Sequence, residues 1–172
     1  MVMDVQQSNS IDQTISVGLG EVTVSKDPLK NLACFGLGSC ISLCACDPVA
    51  KVAGMAHIVL PQSKPGTGDR AATKYADIAV PILFEDMSKS GALKSNIIVK
   101  LVGGAQMIQT AGFSNILDMG NRNLEATRQV LKKEGVRITA EDIGGSQGRS
   151  VWLSVATGEV MVRTAGKELK KL

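Results

Sequence analysis

From Thr14 onward, apolar and polar positions follow the rhythm of a sheet protein interrupted by two helical stretches. Ile15, Val17 and Leu19 alternate with smaller residues. After Gly20-Glu21 the alternation resumes at Val22 and Val24 with a slipped phase, the mark of a bulge or bend. Asp27-Pro28 turns the chain into 32–37, and Gly36-Leu37-Gly38-Ser39-Cys40 leads into a strand from Ile41 to Cys46. Asp47-Pro48 turns it again, into Val52–Leu60. Tyr75, Ile78, Ala79, Ile82, Leu83 and Met87 form one helical stripe, in which Pro81 predicts a kink or a restart. Leu124, Thr127 and Leu131 form a second, with Asn121 as the predicted cap and Gly135 as the stop. Residues 97–102 read as a buried strand ending at Gly103-Gly104. Residues 136–140 and a hairpin through Thr157-Gly158 complete the pattern. About seven strands with the helices grouped predict an α+β fold. Mostly antiparallel sheets with two helices on one face fit this order better than a doubly wound parallel sheet.

Residues 1–13 carry no apolar period and read as a flexible tail ahead of a single domain, 14–172. The length of 172 residues sits near the prior of about 150 per domain. Residues 61–70 contain loop formers and no apolar side chain, which predicts a mobile loop directly after a strand. Hydrophobic residues at 44% and charged ones at 20% indicate a folded globular chain. A net charge of +3, with one Trp, one Tyr and three Phe, argues against a nucleic-acid partner. No apolar run approaches the ~20 residues of a membrane span. The first residues are polar and carry Asp4 and Asp12, unlike a secretory leader. A cytoplasmic protein with reduced cysteines is the expectation.

Those cysteines are Cys34, Cys40, Cys44 and Cys46, and the single histidine is His57. A metal site built from them is disfavoured by strand geometry. At ~3.3 Å per residue, Cys40 and Cys44 stand about 13 Å apart along a strand, whereas zinc binds sulfur at ~2.3 Å. Cys44 and Cys46 read as small core hydrophobes. Cys40 differs because Gly36 and Gly38 precede it in a flexible turn with backbone N–H groups close by. A nucleophile that attacks an acyl carbon needs that setting. A hairpin centred near residues 48–49 would put Cys40 opposite position 57 or 58, with a Cβ separation of about 5 Å. A Cys–His pair at that distance can form a thiolate–imidazolium nucleophile.

Several blocks resemble the chemoreceptor glutamine deamidase family (CheD): Gly36-Leu37-Gly38-Ser39-Cys40, Asp47-Pro48, Met55-Ala56-His57 with Leu60-Pro61, and Lys74-Tyr75-Ala76-Asp77. Further blocks are Gly103-Gly104-Ala105, Gly120-Asn121-Arg122-Asn123, Glu141-Asp142-Ile143-Gly144-Gly145 and Arg149-Ser150, so the similarity runs from about Gly18 to Arg163. The resemblance implies an α/β/β sandwich and hydrolysis of glutamine side chains on methyl-accepting chemotaxis receptors to glutamate and ammonia. The Cys–His chemistry requires no metal or organic cofactor, and none is expected. As partners the resemblance implies the cytoplasmic helices of those receptors and a CheC-type phosphatase. Cys40 and His57 match the family's catalytic Cys and His. The family's third member, usually a Thr six residues before the Cys, falls on Cys34. A thiol accepts hydrogen bonds weakly, so the main-chain carbonyl of Cys34 is expected to orient His57. Gly144-Gly145 and Arg149 are expected to shape the site wall, and the 61–70 loop to contact the receptor. Two rival readings stay open: a non-catalytic chemotaxis adaptor and a thiol redox sensor using Cys34 and Cys40.

Overall fold

The computed structural model describes residues 13–67, 72–107 and 118–172. Residues 1–12 of the expected tail and 68–70 of the expected loop lie outside the described residues. The strands are β1 (Thr14–Ser16), β2 (Val22–Ser25), β3 (Asn31–Leu37), β4 (Ile41–Asp47), β5 (Val52–Ile58), β6 (Ile98–Gly103), β7 (Ile138–Ile143), β8 (Arg149–Ser154), β9 (Val160–Thr164) and β10 (Leu169–Lys171). The helices are α1 (Ala76–Lys89) and α2 (Met119–Glu134). One sheet has the order β1-β3-β8-β9-β10 and the other β2-β5-β4-β6-β7. Only the β1–β3 and β6–β7 pairings are parallel among the described strands.

Three layers result, and they are the predicted α/β/β sandwich. The centre of the second sheet is covered on both faces, which is why β4 and β5 are buried at every position and read as near-continuous small and apolar runs. Ile41, Leu43, Ala45, Ala56 and Ile58 pack with α1 and α2. Cys44, Cys46, Ala53 and Met55, from the opposite face, pack with Leu32, Cys34, Val151, Leu153 and Val162 of the first sheet.

The extra strands relative to the sequence reading are short or polar. β10 has three exposed residues and no apolar alternation, whereas β1, which the alternation at Ile15 does announce, ends after three residues at Ser16. The stripe of α1 also differs. Its buried residues are Ala76, Ala79, Val80, Leu83, Phe84 and Met87, a rotation away from Tyr75, Ile78 and Ile82. Leu83 and Met87, which belong to both stripes, lie against Gly54, where a Cβ would stand 2.7 Å from Leu83 Cδ1 and 3.0 Å from Met87 Sδ. The smaller residues of the stripe and this glycine let the helix close onto the sheet. The helix runs uninterrupted through Pro81. α2 is capped by Asp118, whose side chain accepts from the Asn121 N–H at 3.1 Å. Asn121 therefore supplies the capped N–H and not the cap. Gly135 ends the helix in the left-handed region at φ 69°, as expected.

Asp47 fixes the end of the sandwich away from the cysteine turn. Its carboxylate accepts from the N–H groups of Val49 (2.9 Å), Ala50 (3.0 Å) and Leu93 (2.9 Å). Burial alone would raise its pKa, but these donors and Asn96 outweigh it and hold the carboxyl below its usual value of 3.8. The stabilisation it supplies is present above the unfolded value and is lost as pH falls through the lowered one. Asp47→Ala strands these donors and should cost about 2–4 kcal/mol in urea unfolding at pH 7. A cost below about 0.5 kcal/mol would show that water replaces the carboxylate.

Candidate active site

Three connections pass from one sheet to the other at the same end of the sandwich. Residues 17–21 link β1 to β2, 38–40 link β3 to β4, and 144–148 link β7 to β8. Cys40 sits on the second crossing, half-buried against the inter-sheet core. Before it, the β3–β8 pairing slips between Cys34 and Leu37, where Gly36 adopts φ 65°, so the chain can leave one sheet and enter the other.

Each carbonyl of the cysteine turn is held. The Ala105 N–H donates to Gly38 O at 2.8 Å and the Gly104 N–H to Cys40 O at 2.9 Å. The Asn123 carboxamide donates to Ser39 O at 2.9 Å. The backbone from Gly103 to Gln106 is braced in turn by the third crossing. The Gly144 N–H donates to Gly103 O at 2.9 Å, and the Gln106 N–H to Gly145 O at 2.8 Å. Gly144 and Gly145 adopt φ 73° and 71°, the left-handed region that favours glycine. Arg149 lies beneath it with 8% of its surface exposed. It donates to Gly144 O at 2.8 Å and pairs with Asp142 at 3.0 Å. Lys170 also reaches Asp142, at 2.8 Å.

His57 is held by the first crossing. Its N–H donates to Glu21 O at 3.0 Å and its carbonyl accepts from the Gly20 N–H at 2.9 Å. Its Nδ1 lies 3.0 Å from Val17 O. Because a carbonyl only accepts, this contact places the proton on Nδ1 and leaves Nε2 as the basic nitrogen. Nε2 is buried with no hydrogen-bond partner among the described residues. The main-chain carbonyl that orients the ring is thus Val17's and not that of Cys34. The two are linked, because the Val17 N–H donates to the carbonyl of Ala33, next to Cys34.

The hairpin register also departs from the expectation. Asp47 pairs with Val52 and Ser42 with His57, because the turn takes four residues with Lys51 at φ 55°. The centre falls one residue later than the sequence reading put it. Cys40, two residues before Ser42 on the same face, is therefore the diagonal neighbour of His57, a relation that spans about 7–8 Å between Cα atoms on a regular ladder.

Burial sets the charge states. It raises the Cys40 pKa above 9.0. It lowers His57 below 6.5, against smaller opposing pulls from the Val17 carbonyl and the Glu21 carboxylate. Both shifts favour a neutral thiol beside a neutral imidazole at rest, where the sequence reading expects a thiolate–imidazolium pair. Cys34 is fully buried, its sulfur 3.4 Å from Met55 Sδ. Burial pushes its pKa up to about 12, partly relieved by the Ser42 hydroxyl. A redox-sensing thiol needs access and thiolate character, and Cys34 has neither. Cys44 is likewise pushed up to about 12 by burial, and it packs with Cys46 in the core as predicted. The 61–70 loop begins less freely than its composition suggests. Ser63 Oγ donates to Asp77 at 2.7 Å and its N–H donates at 3.0 Å.

Sequence reasoning missed Val17, Glu21 and the function of Asn123 as a clamp. Asn123 stands in the Gly120–Asn123 block, the one advance signal among the three.

The family described as CheD chemotactic sensory transduction matches residues 59–164. Relatives aligned over about nine tenths of the chain extend the similarity over Cys40 and His57. A protein of Symbiobacterium thermophilum named probable chemoreceptor glutamine deamidase CheD is 44% identical over 153 residues, covering 88% of this chain and 93% of its own. Proteins of the same name from Caldanaerobacter subterraneus subsp. tengcongensis and Clostridium novyi are 42% and 39% identical, over 91% and 92% of this chain and 96% and 97% of theirs. Among solved structures, the hypothetical protein YfiH of Bacillus licheniformis is similar with a TM-score of 0.46 at 16% identity, covering 76% of this chain and 58% of that one. With a family match over more than half of its 172 residues and relatives alike along nearly its whole length, the chain belongs to the CheD family.

Proposed function

We propose that this chain is a protein-glutamine glutaminase that hydrolyses glutamine side chains of chemoreceptors to glutamate and ammonia, with Cys40 as nucleophile and His57 as general base and acid. The observation that carries the reading is the state of His57. Its Nδ1 is occupied by the Val17 carbonyl, so its basic Nε2 is buried and unpaired on the sheet face that Cys40 shares. Chemoreceptor glutamine deamidation is the activity in the names of its relatives.

The Cys40 proton passes to His57 Nε2 as sulfur attacks the side-chain carbonyl carbon of the glutamine. The oxygen becomes negative and is met by backbone N–H groups of Ser39 and Cys40. His57 returns the proton to nitrogen, the C–N bond breaks and ammonia leaves a thioester. Water, deprotonated by His57, adds to that thioester, and the collapse gives glutamate and regenerates the thiol. Every proton is accounted for by one imidazole and one water, so the steps call for no cofactor. The substrate side is the cytoplasmic helices of chemoreceptors and the regulatory partner a CheC-type phosphatase, in the cytoplasm. No helix among the described residues is long and apolar enough to cross a membrane.

The test incubates the chain with a receptor cytoplasmic fragment and reads ammonia release together with the ~1 Da mass gain of Gln→Glu. Because neutral His57 is the working form and burial lowers its pKa, kcat/KM should be flat near pH 7. It should fall only on an acid limb whose midpoint lies below 6.5. A midpoint above 6.5 would mean that the imidazole is stabilised as a cation. Absence of deamidation with intact receptor binding would make the chain an adaptor.

A further inference from the structure

Asn123 joins the two segments that carry the thiol and the imidazole. The residue is fully buried at the start of the second turn of α2. Its Nδ2 donates to Ser39 O and to Val59 O, each at 2.9 Å. Ser39 immediately precedes Cys40, and Val59 lies two residues beyond His57. The helix reaches this position because residue 120 is glycine. A Cβ there would stand 2.5 Å from Gly104 O and 2.8 Å from Ala105 O, the backbone that also holds Gly38 and Cys40.

The two donations account for the residue. Its Oδ1 has no hydrogen-bond partner among the described residues, an unfavourable state for a buried carboxamide. An apolar side chain would avoid it but would make neither donation. What the first donation achieves follows from peptide planarity. The Ser39 carbonyl and the Cys40 N–H belong to one rigid plane and point in opposite directions. Fixing the carbonyl oxygen on Asn123 therefore fixes the direction of the Cys40 N–H. The Ala105 N–H, through Gly38 O, does the same for the N–H of Ser39.

We propose that Asn123 is a positioning residue for the deamidation, aiming the Cys40 N–H at the oxygen that turns negative when the thiol attacks. This rests on the reading of Cys40 as the nucleophile. Two reactions of the same sulfur separate the functions. Alkylation by iodoacetamide displaces iodide from a saturated carbon and creates no oxyanion, so it needs an accessible thiol and its base but no aimed N–H. Deamidation needs all of them.

Asn123→Leu puts an apolar side chain of similar length in its place and removes the donors, with Asn123→Ala read in the same way should the leucine variant fail to fold. With a receptor fragment, kcat should fall by about 10²-fold or more, the scale of one lost oxyanion donor. KM and the rate of Cys40 alkylation should each stay within about threefold of the parent chain. The proposal is overturned if alkylation and deamidation fall in step, if kcat stays within about threefold, or if neither variant folds. In the last case Asn123 serves the fold. The parent chain and Cys40→Ala run alongside. A parent that does not deamidate, or a Cys40→Ala chain that does, overturns the nucleophile and this inference with it. A failure confined to the Asn123 variants leaves the nucleophile standing.

Discussion

Cys40→Ala and His57→Ala should each lower kcat/KM for receptor-fragment deamidation by at least ~10³-fold, while Cys34→Ala stays within about tenfold of the parent. The first two remove members of a unit in which neither sulfur nor imidazole works alone, so their losses should also fail to add in the double variant. The Cys34 expectation now has a structural basis. The Nδ1 proton of His57 goes to Val17 O, and that carbonyl survives any change at position 34. The Cys34 sulfur meets Met55 Sδ and the Ser42 hydroxyl, so its removal leaves a small cavity of the kind that costs about 1 kcal/mol. Cys34→Thr should be active for the same reason. Circular dichroism on each variant separates lost chemistry from lost fold. If Cys34→Ala is folded and as inactive as His57→Ala, the sulfur takes part directly and the Val17 account of the third member is wrong.

Gly103→Ala is the second large effect, and it needs no change in any reacting group. Gly103 adopts φ 118°, and a Cβ on it would stand 2.2 Å from Cys40 O. The chain must either move the Cys40 carbonyl or leave a conformation that L-residues adopt at a cost of about 1–3 kcal/mol. Either response disturbs the Gly104–Cys40 hydrogen bond at 2.9 Å and with it the direction of the thiol. Displacements near 1 Å in a catalytic constellation cost on the order of 10²-fold. The variant should show at least that loss in kcat/KM, with the unfolding free energy in urea lowered by about 2–3 kcal/mol. A Gly103→Ala chain within about threefold of the parent would mean that the backbone yields there without consequence.

Much of the framework was legible because it rests on side-chain pattern. The two-sided runs of β4 and β5, the alternation of β8 and the glycine after α2 each carry a local signal. Cys40 and His57 stood out because one followed a glycine turn and the other was the chain's single imidazole. The misplaced features depend on backbone atoms or on partners far along the chain. The hairpin register turned on one residue, Lys51, entering the left-handed region, a conformation its type does not advertise. The close approach of α1 to the sheet depends on Gly54, which lies 29 residues before Leu83 and 33 before Met87. The orienting group of His57 is a main-chain carbonyl, and every residue type has one. Asn123 makes its bonds to carbonyls 84 and 64 residues away, a separation over which spacing rules are silent.

The attachment of His57 has a mechanical side. Its backbone belongs to one sheet, while its ring is fastened to Val17, whose N–H is itself fastened to β3 of the other. The imidazole is thus a rivet through two plates. A slide of about an ångström between the plates would leave both hydrogen-bonded ladders intact, yet it would tear the 3.0 Å contact that holds the ring. Resistance to such shear comes from the interdigitated side chains between the sheets, among them Leu32, Met55 and Leu153. Stiffness of that apolar interior, against which Cys40 also packs, is what keeps the base aligned.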